Sequence, residues 1–216
     1  MKSVDNTSVI VLLGNWNPFI LGPHWVAKNI FERDKIEAEL FVGPVTVSRF
    51  SDESVRIEPR NDKVMVRAKK TTDENLNRIE TMARRLVTML PHTPLTAYGI
   101  NHAFVETSPT ELLANLFHFK DRDYLPSQMP IGSYEIQRSL LAGDYDINFT
   151  ISKKQESNDI RFDFNFHYKR APRLDGDVGD ILNEGVVLRH YREAKDILES
   201  KYGLKLEVSE EQTIER

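Results

Sequence analysis

Two runs of strict alternation constrain this chain more than any other feature. Tyr145, Ile147, Phe149 and Ile151 alternate with Asp146, Asn148, Thr150 and Ser152. Ile160, Phe162, Phe164, Phe166 and Tyr168 alternate with Arg161, Asp163, Asn165 and His167. A period of two is the side-chain repeat of a β-strand, so each run has one apolar and one polar face. Lys153 to Asp159 reads as the turn between them. Such a hairpin turns one side to a core and the other to water or a partner. The rest of the chain must then supply the apolar cover.

Two helical stripes can do so. Leu76, Ile79, Met82, Ala83, Leu86, Val87 and Leu90 recur at helical spacing, and Pro91 and Pro94 stop the run. Thr71-x-x-Glu74 reads as a capping box that starts this helix at about residue 72. Val187, Leu188, Tyr191, Ala194, Ile197 and Leu198 form a second stripe over about 184–202, closed by Gly203. A shorter helix is expected over about 109–119, with Pro109 at its first position and Leu112, Leu113, Leu116 and Phe117 on one side. Pro23 suits another helix start.

Val9 to Leu13 reads as a buried strand, and Leu95 to Val105 as a further one. Val55-Arg56-Ile57 and Val64-Met65-Val66 read as a hairpin around Pro59 to Asp62. Ile36 to Phe50 reads as extended, broken at Gly43-Pro44, with Val45 and Val47 in alternation. The order predicts an α+β fold, a mainly antiparallel sheet with amphipathic helices packed on one face. A single domain over residues 1–216 is expected, and the Asp-, Arg- and Pro-rich loop at 120–133 is where a subdivision would fall.

Composition narrows the function classes. Hydrophobic residues are 40 % and charged residues 29 %, which excludes a wholly disordered chain. A net charge of −4 argues against a nucleic-acid coat. The absence of cysteine removes disulfides, thiolate zinc sites and a cysteine nucleophile. The apolar run Val9 to Leu13 is shorter than the ~7–15 residues of a secretory signal, and no stretch reaches the ~18–20 of a membrane helix. A cytoplasmic protein without a membrane partner is the expectation. No P-loop, dinucleotide fingerprint, zincin motif or nucleophile elbow is present, so no cofactor is expected and the reading leans away from an enzyme.

Four constellations could carry function. On the polar face of the hairpin, pairing about the turn would set Asp146 near Asn165, Asn148 near Asp163 and Asp144 near His167. Asp144, Asp146 and His167 are then candidates for a divalent cation or for acid–base chemistry, as a metal-assisted hydrolase would use them. Asn101 and His102, with Glu106 beyond, lie where a strand leaves the proline turn, with His92 at the end of the preceding helix. Trp16, Phe19, His24, Trp25 and Phe31 make an aromatic segment suited to an interface hot spot. Lys153, Lys154, Lys169, Arg170, Arg173, Arg84 and Arg85 would bind phosphate only if they converged. Each has a plainer alternative: a solvated sheet face, a satisfied strand bend, a core anchor and ordinary surface charge.

The stretch Leu90 to Asn101, LPHTPLTAYGIN, resembles a segment of a bacterial protein family of unknown function. The upstream Asn17-Pro18-Phe19-Ile20-x-x-Pro23-His24-Trp25 is similar to that family's opening. The resemblance covers the first half of the chain. It implies a small prokaryotic cytoplasmic protein and brings no activity, cofactor or catalytic residue. Together these observations predict a non-catalytic protein-interaction or assembly module, with a small-molecule sensor as an alternative. Trp16, His24, Trp25, Asn101 and His102 are its candidate binding residues, and an exposed hairpin edge that pairs with a second copy would make a homodimer.

Overall fold

A computed structural model describes residues 1–42, 47–119, 131–154, 156–169 and 182–207. The protein is α+β, with a ten-stranded antiparallel sheet and helices packed against it. The N-terminal half contributes β1 (Lys2–Ser3), β2 (Val9–Gly14), α1 (Pro23–Val26) and a π-helical turn over Ala27–Phe31. It continues with β3 (Glu37–Phe41), β4 (Val47–Ser51), β5 (Val55–Pro59), β6 (Lys63–Ala68) and α2 (Asp73–Met89). Then follow β7 (Leu95–Glu106), α3 (Glu111–Asn115), β8 (Ser133–Leu141), β9 (Asp146–Lys154), β10 (Ile160–Lys169) and α4 (Val186–Tyr202).

The strand order is β3-β4-β5-β6-β2-β7-β10-β9-β8, and β1 pairs with β7 beside Phe104 and Val105. The twelve-residue β7 holds the centre, with β2 on one side and β10 on the other. The β10 run thus neighbours a strand that is buried over most of its length, and the β9 run pairs with β10 on its far side. On β10 the apolar set Phe162, Phe164 and Phe166 is buried, and Phe149 of β9 stacks on Phe164 at 4.5 Å between ring centroids. Helix α4 lies on this set: Tyr202 meets Phe149 and Phe162, Tyr191 stacks on Phe104 at 5.6 Å, and His190 stacks on Phe166 at 4.1 Å. Helix α2 packs on β2, β5 and β6 and also touches α4. Each fully buried Phe contributes roughly 1.5–3 kcal/mol of transfer free energy, so this aromatic layer holds helix and sheet together.

Three helix starts differ from the sequence pattern. The α2 N-cap is Thr72, whose hydroxyl accepts from the Asn75 N–H, rather than Thr71. Thr71 is held in the preceding loop, where its N–H donates to Asp5 Oδ1 at 3.1 Å, so the helix starts one residue later and Glu74 stays exposed. Helix α3 is shorter than expected, and its N-cap is Thr110, which leaves Pro109 outside it. Helix α4 has no local side-chain cap. Glu80, buried on α2, accepts instead from the N–H groups of Gly185 at 2.7 Å and Val187 at 3.0 Å. That carboxylate satisfies orphan donors at a helix N-terminus, where negative charge is favourable. Pro23 does open α1, and Gly203 ends α4 in the left-handed region at φ +66°. The break at Gly43-Pro44 with Val45, residues 120–130 of the expected boundary loop, Arg170, Arg173 and the charged tail from Ser209 lie outside the described residues.

Candidate binding groove on the sheet

The polar residues of the alternating strands form one side of the site. The β9–β10 register places Asn165 opposite Asn148, Asp163 opposite Thr150 and His167 opposite Asp146. This is shifted by two residues from pairing about the expected turn. The shift is even, so every side chain keeps its face, and it is the register that seats Phe149 on Phe164. On its other side Asn165 opposes Asn101 of β7.

Three amides therefore stand in one row across three strands. Asn148 Nδ2 donates to Asn165 Oδ1 at 3.1 Å, and Asn165 Nδ2 donates to Asn101 Oδ1 at 2.7 Å. Asn101 Nδ2 ends the row on the Val9 carbonyl at 3.4 Å. A Cβ at residue 99 would lie 2.8 Å from Asn165 Nδ2, so only glycine leaves room for this amide. The row crosses the floor of an open groove of about 650 Å³. Val9, Val11, Met65 and Arg67 line one end, and Gln137, Thr150, Arg161 and Asp163 the other. Arg161 grips Asp163 through Nε at 2.8 Å and a terminal nitrogen at 2.7 Å, and that hydrogen-bonded partner raises its pKa. Arg67 donates to the Asn6 carbonyl. The charges at the rim are thus already engaged, and the floor is neutral. Each amide keeps a second N–H, and amide oxygens accept two bonds, so the row retains hydrogen-bonding capacity for a ligand.

His102, next to Asn101, points the opposite way, as the strand period requires. It is 2 % exposed, between Phe166 and Tyr191, with Nδ1 3.1 Å from Ser8 Oγ and Nε2 without a hydrogen-bond partner. Burial and neighbouring His190 push its pKa down to about 3. His102 is therefore a neutral core residue, and the expected Asn101–His102 pair is divided by the sheet.

The aromatic segment is divided as well. Trp16 is 3 % exposed and donates its Nε1–H to the Leu12 carbonyl at 3.0 Å, so it anchors the β2–α1 connection instead of offering an interface. Trp25 is half-buried against the core, His24 is exposed, and Phe19 is 96 % exposed. Asp144, Asp146 and His167 do not come together as a set. Asp146 opposes His167 but pairs with Lys169 Nζ at 2.9 Å, while Asp144 stands exposed in the turn. Among the described residues no three His, Cys, Asp or Glu side chains converge on a metal position. Of the basic residues, Arg85 pairs with Glu32 and Lys169 with Asp146, so neither joins a phosphate patch.

A second polar network, absent from the sequence reading, lies between β10 and α4. His190 Nδ1 is 3.0 Å from Glu193 Oε2, and His190 Nε2 is 2.5 Å from the Tyr168 hydroxyl. Tyr145 donates to the same carboxylate at 2.9 Å. An ionised carboxylate only accepts, so Nδ1 carries the proton and Tyr168 donates to Nε2. Hydroxyl, imidazole and carboxylate stand in the order of a nucleophilic triad. Burial, however, lowers the His190 pKa and raises that of Tyr168, and Tyr145 is pushed up to about 12 by burial and Glu193. All three shifts favour the neutral forms and oppose proton transfer from Tyr168 to His190. The His190-x-x-Glu193 spacing, one turn on a helix, was its only local signal.

No protein-family model matches the chain, and no curated protein matches it. The groove is therefore read from its own geometry.

Proposed function

We propose that this protein is a non-catalytic interaction module that docks an extended, uncharged segment of a partner protein across the polar face of its sheet. The row Asn101–Asn165–Asn148 carries this reading. Its amides offer donors and acceptors in the same chemistry as peptide groups, on a neutral floor whose rim charges are already paired. In this reading the helices cover the opposite face alone and leave the groove face to the partner. The lining residues run from β6 to β8, five inter-strand steps, or roughly 24 Å at ~4.8 Å per step. An extended segment of about seven residues spans that length. Apolar Val9, Val11 and Met65 at one end would seat an apolar side chain of the segment.

Selection of peptides from a random display library on the immobilised protein tests the proposal. The expected result is a set of peptides whose affinity falls at least tenfold on the double variant Asn148→Leu, Asn165→Leu, with an unchanged far-ultraviolet spectrum. Peptides that bind both proteins equally, or no enrichment at all, would overturn it.

A further inference from the structure

The two edges of the sheet differ in what they allow. At one end β8 hydrogen-bonds β9, and among the described residues no strand pairs with its outer edge. Its nine residues, SYEIQRSLL, contain neither proline nor lysine, and Glu135 and Arg138 are its two charges. Leu140 is 39 % and Leu141 83 % exposed. Ile136 and Leu140 oppose Ile151 and Ile147, so they extend the apolar side of the sheet past its last buried strand.

We propose that β8 pairs antiparallel with β8 of a second copy about a two-fold axis through Gln137. Full-length pairing of a nine-residue strand with itself fixes every contact. Tyr134 faces the partner's Leu140, Ile136 faces the partner's Arg138, and Glu135 faces the partner's Ser139. Gln137 faces the partner's Gln137, amide to amide. No like charges meet, and the Tyr–Leu pairs lie on the apolar side. The same operation on β3 at the far edge sets Glu39 against the partner's Glu39, and directly opposed like charges destabilise a strand pair. The two edges therefore do not compete. A two-fold axis closes the assembly at two copies, as an isologous interface must. Because Gln137 also lines the groove, the pairing joins two grooves into one surface. The dimer does not rest on what fills the groove.

Light scattering across a dilution series reads the outcome directly. The wild type is expected at twice the 25.0 kDa chain mass when concentrated, dissociating on dilution. Gln137→Glu should weaken association at least tenfold, as should Gln137→Lys, while an equimolar mixture of the two should restore the dimer. The chain has no cysteine, so a single Gln137→Cys offers a second reading. It should cross-link under mild oxidation, whereas Glu135→Cys, which faces a different residue, should not. A monomeric wild type overturns the proposal, and so does a dimer indifferent to Gln137→Glu. A monomer whose peptides are still lost on the Asn148→Leu, Asn165→Leu variant overturns the dimer alone.

Discussion

Successive residues of β10 face two different environments. Phe162, Phe164 and Phe166 are sealed under α4, whereas Asp163 and Asn165 line an open groove. Polar groups follow the same division. On the α4 side, His190, Tyr168 and Glu193 are closed into mutual bonds held in neutral or fully satisfied form. On the groove side, the amide row is bonded along its length yet keeps capacity to spare. One side is closed by its own contacts, and the other stays open to solvent. The largest test of this division compares neighbours. Phe164→Ala should cost about 3–5 kcal/mol in urea unfolding, from lost transfer energy and an unfilled cavity. Asn165→Ala should cost only about 1 kcal/mol, the net worth of hydrogen bonds at a half-buried site. Equal losses would mean that the groove face is also a structural core.

Acid should discriminate between the two sides as well. The His102 pKa is depressed in the folded protein to about 3, against 6.5 for an unperturbed histidine. The unfolded chain therefore binds the proton first as pH falls. The stability associated with neutral His102 is complete above pH 6.5 and is lost progressively toward pH 3. His190, also lowered by burial, acts in the same direction. Between pH 6.5 and the carboxylate range near 4.5, His102 should contribute a slope of at most about 1.4 kcal/mol per pH unit. Urea midpoints measured across that window should fall with pH, and His102→Gln should flatten the fall. An unchanged slope in that variant would place the acid sensitivity elsewhere. Asn165 points to the other face of the sheet from the His102 side chain, so Asn165→Ala should leave the slope as it is.

Much of this arrangement was legible in the residues. Period two assigned the faces of β9 and β10, and the stripes at Leu76–Leu90 and Val187–Leu198 located α2 and α4. Faces are local properties, set by each strand alone. Partners are not. That β7 would take the centre of the sheet depends on pairings with β2 and β10 that lie far apart in sequence. The hairpin register slipped by two because an even shift preserves every face and leaves no trace in the alternation. Thr71 and Thr72 are chemically alike, so only the Asp5 contact decides which one caps α2. Trp16 suits a core and an interface equally well, and burial alone separates them. Glu80 caps a helix that starts more than a hundred residues later, a contact no local pattern encodes.

The smallest expected effect bears most directly on the groove. Gly99 is buried in β7, and an added methyl would meet Asn165 Nδ2 at 2.8 Å. The far end of a side chain can move, so Gly99→Ala should not disturb the backbone. It should push the central amide out of line and break its bonds to Asn101 and Asn148. Two terms then oppose each other. Alanine lowers the entropy of the unfolded chain relative to glycine, a gain of about 0.4–1 kcal/mol. The two lost side-chain bonds, at about 0.5 kcal/mol each at this half-buried site, cost about as much together. The net change in melting should be close to zero, while peptides selected on the wild type should bind at least tenfold more weakly. A variant that keeps both its melting temperature and its peptides would show that the alignment of the amide row is not what the groove uses.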